Sequence, residues 1–329
     1  MFKLPVIETR NLTIRFSINK GLFKKVYFNA VDHVNLKIHK SEIVTLVGES
    51  GSGKTTLAKA TLRLIKPSEG EILYKGKDIW KLKSNEYKEY RLNAQYVPQD
   101  PYASIHPFKK VRTILEDIIK YHHLVEKEKI ENKIVETLER VGLTPPTRYL
   151  DKYPFELSGG ERQRLAIAKA IVFNPEYIVA DEPVTMLDAS IKAGIINTLK
   201  NLVNEIGSSL LFITHELSLV GAFGKESRVE VMYLGKIVER GSVKQILLNP
   251  LHPYTQILLN AIPIPDPEKS REQKLLIKNV NPPNPIEKPP GCIFSTRCPY
   301  VNEKCKAKEP EMTTIEPGHY VACHLYLSK

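Results

Sequence analysis

Residues 48–55 read Gly-Glu-Ser-Gly-Ser-Gly-Lys-Thr and follow the apolar run Ile43-Val44-Thr45-Leu46-Val47. They satisfy G-x-x-x-x-G-K-[ST] at every position. A helical pattern comes next, with Leu57, Ala60 and Leu64 at helical spacing. Strand, glycine loop and helix in that order make a cradle for phosphates, because backbone N–H groups and the helix N-terminus point at the anion. Lys54 is expected on the β- and γ-phosphates and the Thr55 hydroxyl on Mg2+. Gly48, Glu49, Ser50, Gly51, Ser52, Gly53 and Thr56 complete the expected lining. The implied ligand is a nucleoside triphosphate.

Hydrolysis needs a second magnesium contact and a group that polarises water. "YIVADE" offers both at the end of an apolar run: Asp181 for the metal's water shell and Glu182 for the attacking water. "FELSGGERQR" adds Ser158, Gly159 and Gly160 at the start of a helix. That stretch fits a second anion site, and it also fits a serine-capped helix with a glycine entry. A single nucleotide does not easily occupy two such sites unless a second subunit supplies one of them.

These residues must be held by surrounding elements, and the patterning indicates which. Val6 to Phe16 and "YFNAVDHVNLKI" read as strands, the latter alternating at Val34, Leu36 and Ile38. Ile43 to Val47, "YIVA" at 177–180 and "LLFIT" at 210–214 are continuous apolar runs of strand length, as in a sheet covered on both faces. Residues around 110–145 and the segment from Glu161 are helical in pattern, as is the stretch between the last two strands. The alternation predicts an α/β fold with a parallel-sheet core. Residues 263–290 hold eight of the 23 prolines and read as a linker. Three parts are therefore expected: a nucleotide-binding domain over 1–262 with a helical subdomain at about 100–160, the linker, and a small extension over 291–329.

With 329 residues, 42% hydrophobic and 26% charged, the composition is that of a globular protein. The balance of 48 Lys+Arg against 37 Asp+Glu gives +11, but no basic run carries interleaved aromatics, so no nucleic-acid partner is expected. No apolar stretch reaches the roughly 18–20 residues that cross a bilayer, and the start lacks a signal peptide's apolar core. A cytoplasmic location is expected, at most docked to a membrane. The four cysteines, Cys292, Cys298, Cys305 and Cys323, all fall near the end. Their wide spacing suits a zinc ribbon poorly and an iron–sulfur cluster better, and spacing alone leaves the metal open. His319 and His324 are expected at the surface, with a place in a zinc site as the alternative.

Together these stretches resemble the ATPase subunits of ABC transporters over nearly the whole chain. "GESGSGKT" matches the Walker A motif, "YIVADE" the Walker B motif, and "LSGGE" the signature that faces ATP bound to the partner subunit. The fold that the resemblance implies is the P-loop ABC-type nucleotide-binding domain, with an N-terminal antiparallel β-subdomain and a helical subdomain. Gln99 in "YVPQD" matches the Q-loop, implying contact with magnesium and with the membrane subunits. Asp188 ends a D-loop whose Thr185-Met186 departs from the usual Ser-Ala, and His215 in "LFITHE" matches the switch histidine on the γ-phosphate. An aromatic that stacks on adenine is expected near the N-terminus. Phe16 is the choice, with Tyr27 and Phe28 as rivals because residues 17–28 read as an insertion.

"GCIFSTRCPY" and "NPLHPYTQILLNAIP" resemble the C-terminal extension of the oligopeptide/dipeptide branch, in which four cysteines can bind a [4Fe–4S] cluster. The N-terminal "GLFKKVYFNAVDHV" and the "LSGGE" wording lean to that branch's F-type subunit. The resemblance implies a D-type ATPase partner, two transmembrane permease subunits, an extracellular solute-binding protein and a peripheral place on the cytoplasmic face. ATP hydrolysis would drive import of peptides, with oligosaccharides or nickel as the alternative cargo. A non-transport ABC ATPase is the further alternative, disfavoured by the lack of a coiled-coil insertion or a second cassette. A regulatory module that binds ATP without hydrolysing it is another, opposed by Glu182 and His215.

Overall fold

The computed structural model describes residues 4–20, 25–262, 279 and 283–327. They belong to two compact units, one of Met1–Glu8, Lys37–Ile43 and Leu73–Ile213, the other of Thr9–Leu36, Val44–Ile72 and Thr214–Lys329.

In the first unit the strands Ala94–Val97, Tyr177–Asp181 and Ser209–Thr214 run parallel, with Tyr177 opposite both Ala94 and Ser209. Every residue of Tyr177–Asp181 and Ser209–Thr214 is buried. That explains their unbroken apolar sequence, since a strand covered on both faces has no solvent side to alternate with. Helices Val111–Tyr121, Ile130–Arg140 and Gly159–Ile171 pack against one another. Val111, Ile114, Leu115 and Ile119 form the buried stripe of the first, and Ile130, Ile134 and Leu138 that of the second. The helical pattern across 110–145 is thus two helices. They part where His123 takes a left-handed conformation (φ 51°) ahead of a short 3-10 turn.

In the second unit the neighbouring strands are, in order, Thr313–Glu316, His319–Val321, Lys236–Ser242, Arg228–Tyr233 and Ile43–Val47. The last pair is parallel, Val44 opposite Arg228, and the others are antiparallel. Strands Ile7–Asn19 and Lys25–Ile38 pair antiparallel: the Thr9 hydroxyl donates to the Val34 carbonyl, the Thr13 hydroxyl accepts from the His33 N–H, and Arg15 Nε donates to Asn29. The N-terminal strands, the parallel strands and the helices therefore form as the patterning predicts. One detail differs: helix Lys54–Thr61 stops short of Leu64, which is exposed. Arg63 at φ 59° turns the chain away before another turn can form.

The cysteine-bearing segment is built into the second unit. Its strand His319–Val321 extends the sheet beside Lys236–Ser242, and Phe294 is wholly buried against Tyr233, Tyr254 and His252, with ring centroids 5.2, 5.5 and 5.6 Å away. Fully buried Glu239 accepts the N–H groups of Leu251 and His252, and its Oε1 meets His319 Nε2 at 2.8 Å. His319 and His324 are consequently not surface residues, contrary to expectation. His319 is enclosed between Glu239 and Glu316, and His324 Nε2 lies 2.7 Å from the Lys308 carbonyl. Most of the 263–290 segment lies outside the described residues. Among the described residues, no helix is long and apolar enough to cross a membrane.

Two predictions follow from this packing. Phe294→Ala removes a fully buried ring and is expected to cost about 3–5 kcal/mol in urea unfolding followed by circular dichroism. Burial works against a charged His319, but Glu239 and then Glu316 outweigh it and raise its pKa. The pairing therefore contributes fully below the ordinary histidine value of about 6.5 and fades as pH climbs through the raised value. His252, held by burial down to about 4, acts in the opposite sense. Comparing His319→Gln with the wild type at each pH cancels that term, and the Tm deficit of the variant should be larger at pH 6 than at pH 9.

Candidate nucleotide site

The strand Ile43–Val47 delivers the chain into the glycine loop, and two glycines there have no substitute. A Cβ on Gly48 would stand 2.1 Å from the Met232 carbonyl oxygen. One on Gly53, whose φ is 104°, would stand 2.1 Å from that of Ala30. Gly53 then starts the helix, its carbonyl accepting from the Leu57 N–H. Lys54 is 4% exposed, and its ammonium donates to the carbonyls of Gly48 (2.7 Å) and Glu49 (2.9 Å). It therefore lies across the loop at the place where phosphate oxygens would be bound. Ser50, Gly51 and Thr55 are exposed, Thr56 is half-buried, and Ser52 is buried with its carbonyl accepting from the Gly235 N–H.

Glu49 is held at both ends. Its N–H donates to the Tyr254 hydroxyl at 2.7 Å, and its carboxylate takes two hydrogen bonds from Arg297, at 2.7 and 2.9 Å. Burial disfavours the Arg297 charge, but the bonds to Glu49 and the Tyr233 hydroxyl outweigh it and raise the guanidinium's pKa.

In the first unit, Asp181 ends its strand 3% exposed and accepts from the Tyr96 hydroxyl at 2.9 Å. Burial and that carboxylate push the Tyr96 phenol up. Glu182 follows at φ 46°, a left-handed conformation unusual outside glycine, held by its N–H on the Ile213 carbonyl. Its Oε2 accepts from Gln99 Nε2 and from the Thr185 hydroxyl, both at 3.2 Å. The structure thus brings Gln99 and Glu182 together. It also shows what Thr185 does in the departing D-loop: its hydroxyl binds Glu182. Met186 is exposed, and Asp188 begins the helix Ala189–Ile206.

Ser158 caps the helix Gly159–Ile171. Its hydroxyl accepts from the Glu161 N–H while Glu161 reaches back to the Ser158 N–H, a reciprocal capping box. Ser158 and Gly159 remain exposed and Gly160 is buried, so the cap and an outward anion site are compatible. His215 is exposed directly after the strand Ser209–Thr214. Phe16 is partly exposed with its ring 6.1 Å from that of Phe28, while Tyr27 stands largely exposed.

None of the four cysteines is in a disulfide, and each is buried. Burial first, and then the other thiols, push Cys292 up to about 11 and Cys323 up to about 12. Among the described residues, no three His, Cys, Asp or Glu side chains are arranged to hold a metal ion. Sequence reasoning missed Tyr96, Thr185, Tyr254 and Arg297 as participants. The last two lie within quoted stretches, "HPYTQ" and "STRCPY", but pairing across more than 200 positions leaves no local signal.

Comparison with known proteins shows the family. The ABC transporter family matches residues 31–185, and the oligopeptide/dipeptide transporter C-terminal region matches 238–305. The oligopeptide transport ATP-binding protein AppF of Bacillus subtilis is 42% identical over 98% of this chain and 97% of its own. OppF of Haemophilus influenzae, of the same description, is 40% identical over 97% and 96%. Among solved structures, the ATP-binding cassette MJ0796, seen as a post-hydrolysis dimer bound to ADP and Pi, superposes with a TM-score of 0.61 at 29% identity, covering 72% of this chain and 98% of that one. The chain therefore belongs to the ATP-binding subunits of ABC transporters, in the branch that carries the oligopeptide/dipeptide C-terminal region.

Proposed function

We propose that this chain is the ATP-hydrolysing subunit of an importer for oligopeptides or dipeptides, working on the cytoplasmic face beside two membrane permeases fed by a solute-binding protein. The observation that carries the reading is a complete phosphate loop with Lys54 lying across it, in a chain that also holds Gln99 on Glu182. The names of AppF and OppF support the cargo class. The post-hydrolysis dimer of MJ0796 supports a paired arrangement, here with a D-type paralogue as partner.

In this reading Phe16 stacks on the adenine, and residues Gly48 to Thr56 hold the phosphates. Thr55, Gln99 and Asp181 carry the oxygen donors that magnesium accepts. Mg2+, when bound there, would supply positive charge that offsets the negative charge of the phosphates. Glu182 orients a water and takes its proton as the oxygen attacks the γ-phosphorus. The bond to the bridging oxygen breaks, leaving ADP and Pi, with His215 on the γ-phosphate. Ser158, Gly159, Gly160 and Asp188 face nucleotide held by the partner. Closure is favoured because ATP contacts both subunits only when they are together, and loss of the γ-phosphate removes that preference. Cys292, Cys298, Cys305 and Cys323 would be the donors for a [4Fe–4S] cluster, with Zn2+ as the alternative. Thiols suit a thiophilic metal chemically, but among the described residues no three metal-ligating side chains are grouped to hold one, so loading would require the cysteines to draw together.

Two measurements test these assignments. In the assembled transporter, Glu182→Gln is expected to lower ATP turnover by about a hundred-fold or more, and a wild type no faster than the variant would refute the motor. Anaerobically purified protein should contain iron and absorb broadly in the visible range, whereas zinc without iron rejects the cluster.

A further inference from the structure

We infer that Arg297 is a positioning and charge-neutralising residue for the nucleotide site, acting from the C-terminal extension through Glu49 of the phosphate loop. The inference rests on the loop being the site of ATP.

An anion-binding loop with a carboxylate as its second residue is an electrostatic liability. Glu49 places a negative charge on the same short loop as Lys54, where a triphosphate must approach. The fold answers it with a guanidinium in the bidentate geometry that suits a carboxylate, Nη1 to Oε2 at 2.7 Å and Nη2 to Oε1 at 2.9 Å. Arg297 is 3% exposed and Glu49 is 28% exposed, so solvent screens the pair only in part. The arginine itself has little freedom. Its Nε donates to the Asn279 carbonyl, and its guanidinium lies 5.7 and 5.8 Å from the ring centres of Tyr233 and Phe294. The backbone of Glu49 is fixed separately by the Tyr254 hydroxyl, which belongs to the same aromatic cluster. Pro283, Asn284 and Pro285 line a cavity of about 270 Å3 together with Glu49, Ser50 and Gly51, so the end of the linker also borders the loop. Every residue in this chain of contacts lies in one compact unit.

The extension is thereby coupled to the ATP site by a defined contact, and the packing around the cysteines, with Arg297 beside Cys298, is transmitted to the loop as a charge and a position. A structural tie and a neutralising charge make opposite predictions when the two partners are changed singly. If the pair only braces the fold, losing either partner weakens ATP alike. If Arg297 cancels the charge of Glu49, losing the arginine exposes the anion to the phosphates, while losing the carboxylate removes the repulsion and leaves a cation beside the loop.

The test is equilibrium titration of full-length protein with MgATP for wild type, Arg297→Gln, Glu49→Gln and the double variant, with circular dichroism confirming that each is folded. Arg297→Gln is expected to raise the Kd about ten-fold, the factor that one unit charge carries at roughly 10 Å in an effective dielectric of about 20. Glu49→Gln keeps the loop backbone that borders the phosphates and removes only the carboxylate, so it should bind MgATP more tightly than wild type, and the double variant should return to near the wild-type Kd. The Arg297→Gln defect should also shrink as salt rises. An unchanged Kd in Arg297→Gln, or equal weakening in both single variants, overturns the inference while leaving the ATPase assignment standing. A wild type that does not bind MgATP overturns both.

Discussion

The phosphate loop is confined by two backbone carbonyls. Met232 presses on Gly48 and Ala30 on Gly53, each leaving no space for a Cβ. This confinement sets the backbone path across which Lys54 lies, its ammonium donating to the Gly48 and Glu49 carbonyls. The helix that follows adds its N-terminal dipole only because Gly53 accepts a left-handed conformation there. The strands Arg228–Tyr233 and Lys25–Ile38 are therefore parts of the nucleotide site, although neither carries a phosphate ligand.

The same unit explains why the C-terminal segment is more than an appendage. Its strand joins the sheet, its Phe294 fills the space between Tyr233 and Tyr254, and its Arg297 reaches Glu49. Buried Glu239 is satisfied by two backbone N–H groups and by His319, which ties the segment to the sheet. A group bound at the cysteines would thus sit within packing that continues to the phosphate loop. In the other unit, Glu182 is kept in a strained conformation by the Ile213 carbonyl and by side-chain bonds from Gln99 and Thr185. Strain held by surrounding contacts is a common mark of a catalytic position.

Much of this was legible in the sequence, for physical reasons that differ by element. Continuous apolar runs marked Tyr177–Asp181 and Ser209–Thr214 because both faces are buried, and the glycine spacing of residues 48–55 admits few other uses. The Ser158 cap was legible because its partner Glu161 is three residues away. Leu64 misled because helical spacing says nothing of the backbone reversal at Arg63. His319 and His324 misled because a polar side chain reads as exposed unless its buried partners are known, and Glu239 is 80 positions from His319. Arg297 and Tyr254 were invisible for the same reason: their partner, Glu49, is brought to them by tertiary packing alone. The effect of the D-loop departure was open in sequence, and the structure places the Thr185 hydroxyl on Glu182, a contact that spacing alone does not announce.

Nucleotide binding depends on Lys54 and its loop. The most direct measurement is the equilibrium affinity of the purified chain for MgATP before and after Lys54→Ala. Wild-type binding that falls by about a hundred-fold in the variant, with the fold intact, is the result expected from loss of a buried cation paired with phosphate. Equal affinity in the two proteins would contradict it.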